Sequence, residues 1–564
     1  MPPITADTVL ITVGTSLSLL VVLGHMLFDI GSVRPKNVAG TIVRHLLVTT
    51  VAILGFLFMG FGLLFGGQGG FFGVLDFFTL GNYGPSLPDG VPLTLFVTSQ
   101  AVVCAVVANI VCGALAERSN LTSQVAVTLA LSLLIYPFVN RWTWGSGWLS
   151  QLGFHDFAGS ASINMVGGIM ALVASALMGP RCDKYGEDGD VRALPGQSLA
   201  LCASGSLLIF VGWFGLMGVS SFAFGAKSVN ALGDAFLGMV VAACASTVTS
   251  LVVTSVRYGG PDVPMALNGM VGGLVAVSAG ADTMSPLAAG VVGVGAGLVV
   301  VLGVEWVERR LRVDDPVGSI ATHGLCGVLG LVSCGLLSEN GGLFLGGGPA
   351  LLGTELLGAV AVSLWTCVFA VLVLVPTRRS ADLRVLVSEE EAGLGLTGPS
   401  LNNAFAEYMP GVLPEGLGEP EVRHKPDVPP EEAVPLDLMG GAATCALREV
   451  QIVCRPMCLE RLRRELAGIG VTGMTVIDVL GCGEQRGARE TYRGIPVDVA
   501  FVPKVLLDVV VSKVPVEDVV AATRRALYTG HIGDGKIFVY GVAEAVKVRT
   551  GEHGCDAVQN IDAL

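Results

Sequence analysis

From about residue 8 to residue 376 the chain is a succession of apolar runs close to 20 residues long, and that pattern leaves few folds open. A helix rises about 1.5 Å per residue, so each run suffices to cross a hydrocarbon core roughly 30 Å thick. Eleven runs can be counted, at roughly 8–31, 44–66, 93–115, 122–140, 157–179, 197–218, 231–256, 264–281, 286–307, 317–337 and 351–375. The first has neither a basic leader nor an A-x-A site and reads as a span, not a cleavable signal peptide. Charged residues make up 14% of the chain, against about a quarter in soluble domains, too few to cover a soluble surface of this size. The 77 glycines suit close helix packing in lipid. A net charge of −13 speaks against a nucleic-acid partner, because neutralising phosphate needs clustered Lys and Arg. The scattered cysteines, among them Cys104, Cys112, Cys202 and Cys326 inside apolar runs, read as small buried hydrophobes.

Loop charge gives an expected orientation. Alternate loops hold Arg34, Lys36 and Arg44, then Arg118, then Arg181, Lys184 and Arg192, then Arg257, then Arg309, Arg310 and Arg312, then Arg378, Arg379 and Arg384. The opposite loops offer only Arg141 and Lys227. The positive-inside rule places the first set in the cytoplasm. With eleven spans the N-terminus lies outside and the C-terminus inside.

The remainder divides in two. Residues 377–445 are rich in Glu, Pro and Gly and read as a cytoplasmic tail and flexible linker after the membrane domain of residues 1–376. From 446 to 564 the pattern is that of a compact soluble domain. REVQIVC is a strand, Leu459, Leu462 and Leu466 have helical spacing, and 471–481 and 499–511 are strands. PVEDVVAATRRALYTG is a second amphipathic helix and 536–549 closes with strand. The β-α-β-β-α-β order is that of an α+β ferredoxin-like domain. The long stretch 482–498 between its middle strands is of the kind that carries function.

Polar residues at depth in a membrane are functional candidates. His323 lies in SIATHGLCGVLGLV, Asp156 opens the fifth run, and Asn164 is inside it. His25 and Asp29 in the first run read as helix-packing or subunit-contact groups rather than ligands. Asp156 also reads as a helix cap, and Trp144 as an interfacial tryptophan.

The segments VRPKNV (33–38), GALAER (113–118), WGSGWL (144–149), DFAGS (156–160), GWFG (212–215), LRVDDPVGSIATHGLCG (311–327) and LVSEEEAGL (386–394) resemble the ammonium transporter family, Amt/Mep/Rh, in order along residues 6–408. The resemblance implies a membrane-embedded homotrimer, each subunit with a pore between pseudo-symmetric halves, carrying ammonium or methylammonium. It assigns Trp144 to cation–π contact at the outer mouth, Ser220 to the same outer site, Asp156 to pore architecture, and His323 to one of two pore histidines. The other pore histidine falls on Asn164. Two gating phenylalanines fall on Val103 and Leu216. A carboxamide hydrogen-bonds an imidazole but neither takes up nor releases a proton, so a two-histidine proton relay is expected to be impaired.

GCGEQRGARETYRGIPVDVAFVPK (481–504) with TGHIGDGKIFVYGVAEAVKVRTGE (529–552) resembles the PII nitrogen-signalling proteins over residues 446–555. The resemblance implies ATP or ADP in clefts between subunits, with Mg and 2-oxoglutarate joining ATP. It places Gly533, Asp534, Gly535 and Lys536 at the phosphate cradle, Lys547 and Arg549 at further phosphate contacts, and Thr475 near the base. Gln485 and Lys504 match the Mg and 2-oxoglutarate positions. Glu484 stands where a basic residue is usual, and Val497 where some relatives carry a modifiable tyrosine. Arg493 matches the loop arginine that plugs the transporter exit, within reach of a linker of ~38 residues spanning ~35 Å. The expected function is ammonium transport at the plasma membrane, regulated in cis by the PII domain. The alternative is a non-conducting ammonium receptor that signals to a cytosolic partner. An enzyme is disfavoured: there is no Walker motif, no nucleophile constellation, no catalytic residue and no metal-ligand spacing.

Overall fold

A computed structural model describes residues 6–394 except 68, 85–86, 89, 187–189, 225–228 and 381, and residues 447–558 except 456–457, 472, 482–489, 493–494, 498–501 and 529–534. The chain divides into two compact units, described in turn.

In the first unit, ten helices among the described residues are long and apolar enough to cross a membrane. They are α1 (Asp7–Ser32), α2 (Pro35–Phe65), α3 (Leu93–Ala114), α4 (Leu121–Gln151), α5 (Ser160–Met178), α6 (Leu199–Ser221) and α7 (Leu232–Tyr258), then α9 (Pro286–Leu311), α10 (Ile320–Leu337) and α11 (Ala350–Ser380). The run expected at 264–281 forms a shorter helix, α8 (Val263–Val277), begun by Asp262, whose side chain accepts from the Met265 amide. It stops early for a structural reason. The backbone turns after Val277, and the carbonyls of Ser278 and Ala279 accept the amides of Ala158 and Phe157, just ahead of α5 (2.8 and 3.0 Å). Arg141, expected in a loop, lies instead within α4, where its guanidinium donates to the carbonyls of Leu64, Gly67 and Gly69. Lys227 falls outside the described residues.

Close approach defines the helix pairs that matter for function. Along α1 and α6 a Cβ added at Gly24 would meet the Gly205 carbonyl at 2.7 Å and Ile209 at 2.6 Å. One added at Gly205 would strike the Phe28 backbone. Small residues let lipid-embedded helices touch in this way, and here they fix the stretch of α1 that holds His25 and Asp29. In α5 and α10, a Cβ on Gly168 would collide with the backbone of Gly324, so the two helices cross backbone to backbone.

The expected basic side of this unit is knitted by buried ions. Glu117 takes Arg34 and Arg181, Asp314 takes Arg181 and lies 3.9 Å from Arg118, and Lys184 pairs with Glu308 at 3.3 Å. The segment after α11, the start of the expected tail, is held here. Val385 N donates to Arg118 O (3.0 Å), Arg384 pairs with Glu390, and Leu394 N donates to Asn37 Oδ1. It contains one short helix, α12 (Val387–Ala392).

The C-terminal part of the chain contains β1 (Arg448–Cys454), α13 (Leu459–Gly468), β2 (Thr475–Gly481), β3 (Glu490–Tyr492), β4 (Ile495–Val497), β5 (Val502–Val511), α14 (Val516–Leu527) and β6 (Lys536–Gly541), all but residues 491–496 belonging to the second unit. One antiparallel sheet has the order β2-β5-β1-β6, and β3 pairs with β4 in a ribbon of its own. Val450, Ile452, Leu507 and Val509 alternate inward from β1 and β5 onto Leu462 and Leu466 of α13 and Val519 and Ala522 of α14. The ferredoxin-like order stands as read from the sequence. The closing strand is shorter than expected, ending at Gly541 where 549 was anticipated.

Candidate functional site

The site begins with two segments built alike. Residues 156–168 and 315–327 both run Asp-x-x-Gly-Ser, place Asn164 and His323 at equivalent positions, and reach a glycine at Gly168 and Gly327. Asp156 Oδ2 accepts the amides of Ala161 (3.1 Å) and Ser162 (2.8 Å). Asp315 accepts those of Gly318 (2.9 Å) and Ile320 (2.7 Å). Each carboxylate thus satisfies donors that a helix start leaves without an intrahelical partner. Gly159 (φ 89°) and Gly318 (φ 85°) are left-handed, a conformation that favours glycine, and each is followed by a π-helical turn, Ser160–Met165 and Ile320–Leu325. Such turns concentrate at functional sites.

Where these segments meet, His323 Nδ1 lies 2.8 Å from Asn164 Oδ1, and both side chains are buried. The amide of Asn164 is oriented by a second bond, Nδ2 donating to the Gly159 carbonyl at 2.8 Å. Its oxygen is therefore the acceptor facing His323, and His323 must carry its hydrogen on Nδ1. In the neutral ring that leaves Nε2 as a bare acceptor. The hydrogen bond expected between these two residues is present.

Trp144 follows the Tyr136–Thr143 segment of α4 and donates its indole N–H to the Asp156 carbonyl at 2.7 Å. Asp156 therefore serves as helix cap and as anchor for Trp144 together. Val103 on α3 and Leu216 on α6 are buried in the same apolar core as Trp144. Ser220 sits one turn beyond Leu216 on α6 and is likewise buried.

His25 has a neighbour that the sequence did not indicate. Beyond the packing role expected of it, it lies against His323, ring centroids 5.2 Å apart and planes at 47°. The two share a cavity with Asp29, Asn268 and Ser319. One turn along α1, Asp29 Oδ2 is 2.9 Å from His45 Nε2, a close contact not aligned as a linear hydrogen bond. A Cβ on Gly113 would overlap the Asp29 carboxylate, so that glycine makes the room for it. Sequence reasoning missed this arrangement. The available signal was two ionisable residues at i and i+4 in one apolar run, which share a helix face.

In the second unit the described candidates are Thr475, Lys504, Gly535, Lys536, Lys547 and Arg549. Lys536 opens β6 opposite Val453, and Lys504 on β5 stands one residue before the partner of Cys454, so both reach one end of the sheet. Thr475 lies at the other end of β2, paired with Asp508. A Cβ at Gly535 (φ 133°) would collide with the Val453 carbonyl, which makes glycine mandatory there. Lys547 pairs with Glu552 at 2.9 Å and Arg549 is exposed. Gln485, Arg493, Gly533 and Asp534 lie outside the described residues, as does Glu484.

Comparison with known proteins agrees with this architecture. Residues 9–398 match the Ammonium Transporter Family and residues 447–552 match Nitrogen regulatory protein P-II. Ammonium transporter Amt2 of Archaeoglobus fulgidus is 32% identical over 396 residues, 66% of this chain and 82% of that protein. Ammonium transporter 3 of Dictyostelium discoideum is 30% identical over 386 residues, 66% of this chain and 88% of that protein. Among solved structures, one named Sensor Amt Protein matches with a TM-score of 0.66 at 28% identity, covering 70% of this chain and 98% of that one. Mep2 of Candida albicans matches with a TM-score of 0.62 at 25% identity, covering 68% and 87%. Two of these names describe ammonium transporters and one a sensor. The chain belongs to the Ammonium Transporter Family, and a P-II regulatory domain follows its membrane helices in the same polypeptide.

Proposed function

We propose that the helical unit conducts ammonium across the plasma membrane as a homotrimer and that the PII domain adjusts this conduction to ATP or ADP and 2-oxoglutarate. The N-terminus is then external and the C-terminus cytoplasmic. The observation that carries the reading is the Asn164–His323 hydrogen bond where two like-built helix starts meet at membrane depth. Trp144 and Ser220 receive the cation at the outer mouth, Asp156 holds that mouth in shape, and Val103 with Leu216 forms an apolar constriction in place of aromatic rings. In the PII domain Gly533, Asp534, Gly535, Lys536, Lys547 and Arg549 take the phosphates and Thr475 the base. Gln485 and Lys504 take Mg and 2-oxoglutarate, and Arg493 belongs to the regulatory loop.

A second reading, an ammonium receptor with little or no conduction, is favoured by the likeness to a protein named as a sensor and by the aliphatic constriction. Ammonium jumps on a solid-supported membrane separate the two. The unmodified chain in liposomes is expected to give a saturable current. No current from a folded protein that still binds ammonium would transfer the assignment to sensing.

A further inference from the structure

We propose that His25 supplies the pore's second imidazole from a different helix, forming with His323 a proton-accepting site that empties toward the Asp29–His45 pair. The inference rests on the transport reading above. Three observations support it. The rings of His25 and His323 are 5.2 Å apart and line one cavity. His25 Nε2 is fully enclosed, with no hydrogen-bond partner among the described residues. His323, its Nδ1–H committed to Asn164, turns a bare Nε2 to accept from a donor. A buried ring nitrogen without a partner, His25 Nε2, beside a ring whose Nδ1–H is committed elsewhere is costly unless a proton-bearing guest is periodically present.

The onward path is set by the same kind of geometry. Asn109 donates both amide hydrogens, to the Ala105 carbonyl (2.8 Å) and to Thr49 Oγ1 (2.9 Å), so its Oδ1 accepts from His45 Nδ1 at 2.6 Å. With that hydrogen committed, His45 Nε2 faces Asp29 Oδ2 at 2.9 Å, two proton-accepting atoms close together without a linear hydrogen bond between them.

The step balances without a co-reactant. An N–H bond of ammonium breaks as His323 Nε2 gains the proton, and neutral ammonia moves on. The proton crosses the cavity to His25, then reaches Asp29 one turn along α1, where carboxylate and imidazole hold it before release at the Ser32 end. Asn164 acts as a positioning residue that fixes the tautomer of His323.

Full-length protein labelled with ¹⁵N-histidine in lipid nanodiscs tests the site itself. Added ammonium chloride should move the imidazole signals of His25 and His323 together, assigned by His25→Gln and His323→Gln. A response at His323 alone, or at neither, overturns the proposal. Current recordings test the relay. His25→Asn should lower the ammonium current by roughly 100-fold, the scale of a lost acid–base group, and adding Asn164→His should restore it. An undiminished current, or a loss that the second substitution leaves unrescued, overturns the relay. If the unmodified chain is silent, the transport reading fails, while the nanodisc signals still decide the role of His25.

Discussion

Asp314→Ala is expected to destabilise the helical unit by about 3–5 kcal/mol, the cost of leaving a buried charge without its partner. Arg181 donates to this carboxylate through its backbone amide (2.9 Å), Nε (2.8 Å) and Nη2 (3.0 Å). Arg118 adds a bond to the Asp314 carbonyl. Burial alone would raise the acid, but the guanidiniums of Arg181 and Arg118 outweigh it and hold the carboxyl well below the usual carboxylate range. Because the folded group is the stronger acid, its stabilisation is complete above about pH 4, the ordinary carboxylate value. It is lost as pH falls through the lower folded value. Thermal unfolding of the detergent-solubilised chain, at pH 7 and stepwise downward, reads both effects. Asp314→Asn, which keeps an acceptor oxygen for Arg181 and leaves the Arg181–Glu117 pair in place, should unfold closer to the unmodified chain than Asp314→Ala does. An Asp314→Ala midpoint equal to that of the unmodified chain would mean the pair contributes nothing.

The second large effect is expected at Asp156. Asp156→Ala removes the acceptor for two buried amides, Ala161 and Ser162, at about 1–3 kcal/mol each. Asp156→Asn keeps an oxygen for both and should cost less than half as much. The alanine variant also loosens the segment whose carbonyl holds the Trp144 indole. Its ammonium affinity at the outer mouth should therefore fall together with its unfolding temperature. A variant that loses affinity while keeping full stability would separate the two roles that the geometry unites.

Much of the architecture was legible because it rests on apolar run length, which the bilayer enforces residue by residue. The sheet order of the second unit was legible for a similar reason, its strands alternating at 448–454 and 502–511 around amphipathic helices. The Asn164–His323 contact followed from the motifs around it. His25 did not, because spans that are apolar on every side have no hydrophobic face to show which way a polar residue points. Only the glycine contacts between α1 and α6 fix that direction, and they are visible only in three dimensions. The π-helical turns leave no periodic trace. The recurrence of Asp-x-x-Gly-Ser at 156 and 315 does leave a trace, since counting eight residues on from each aspartate pairs Asn164 with His323.

That recurrence has a consequence for directionality. Equivalent positions of two like segments face one another where they cross, so identical residues there would give a contact that reads the same from either membrane face. Here one position offers a carbonyl oxygen locked by its own backbone bond and the other a ring N–H. The contact has a head and a tail, and only one of its two members is an imidazole, the ring that lies beside His25 of α1. A crossing built from two like segments thereby acquires a one-sided chemistry from a single non-matching pair.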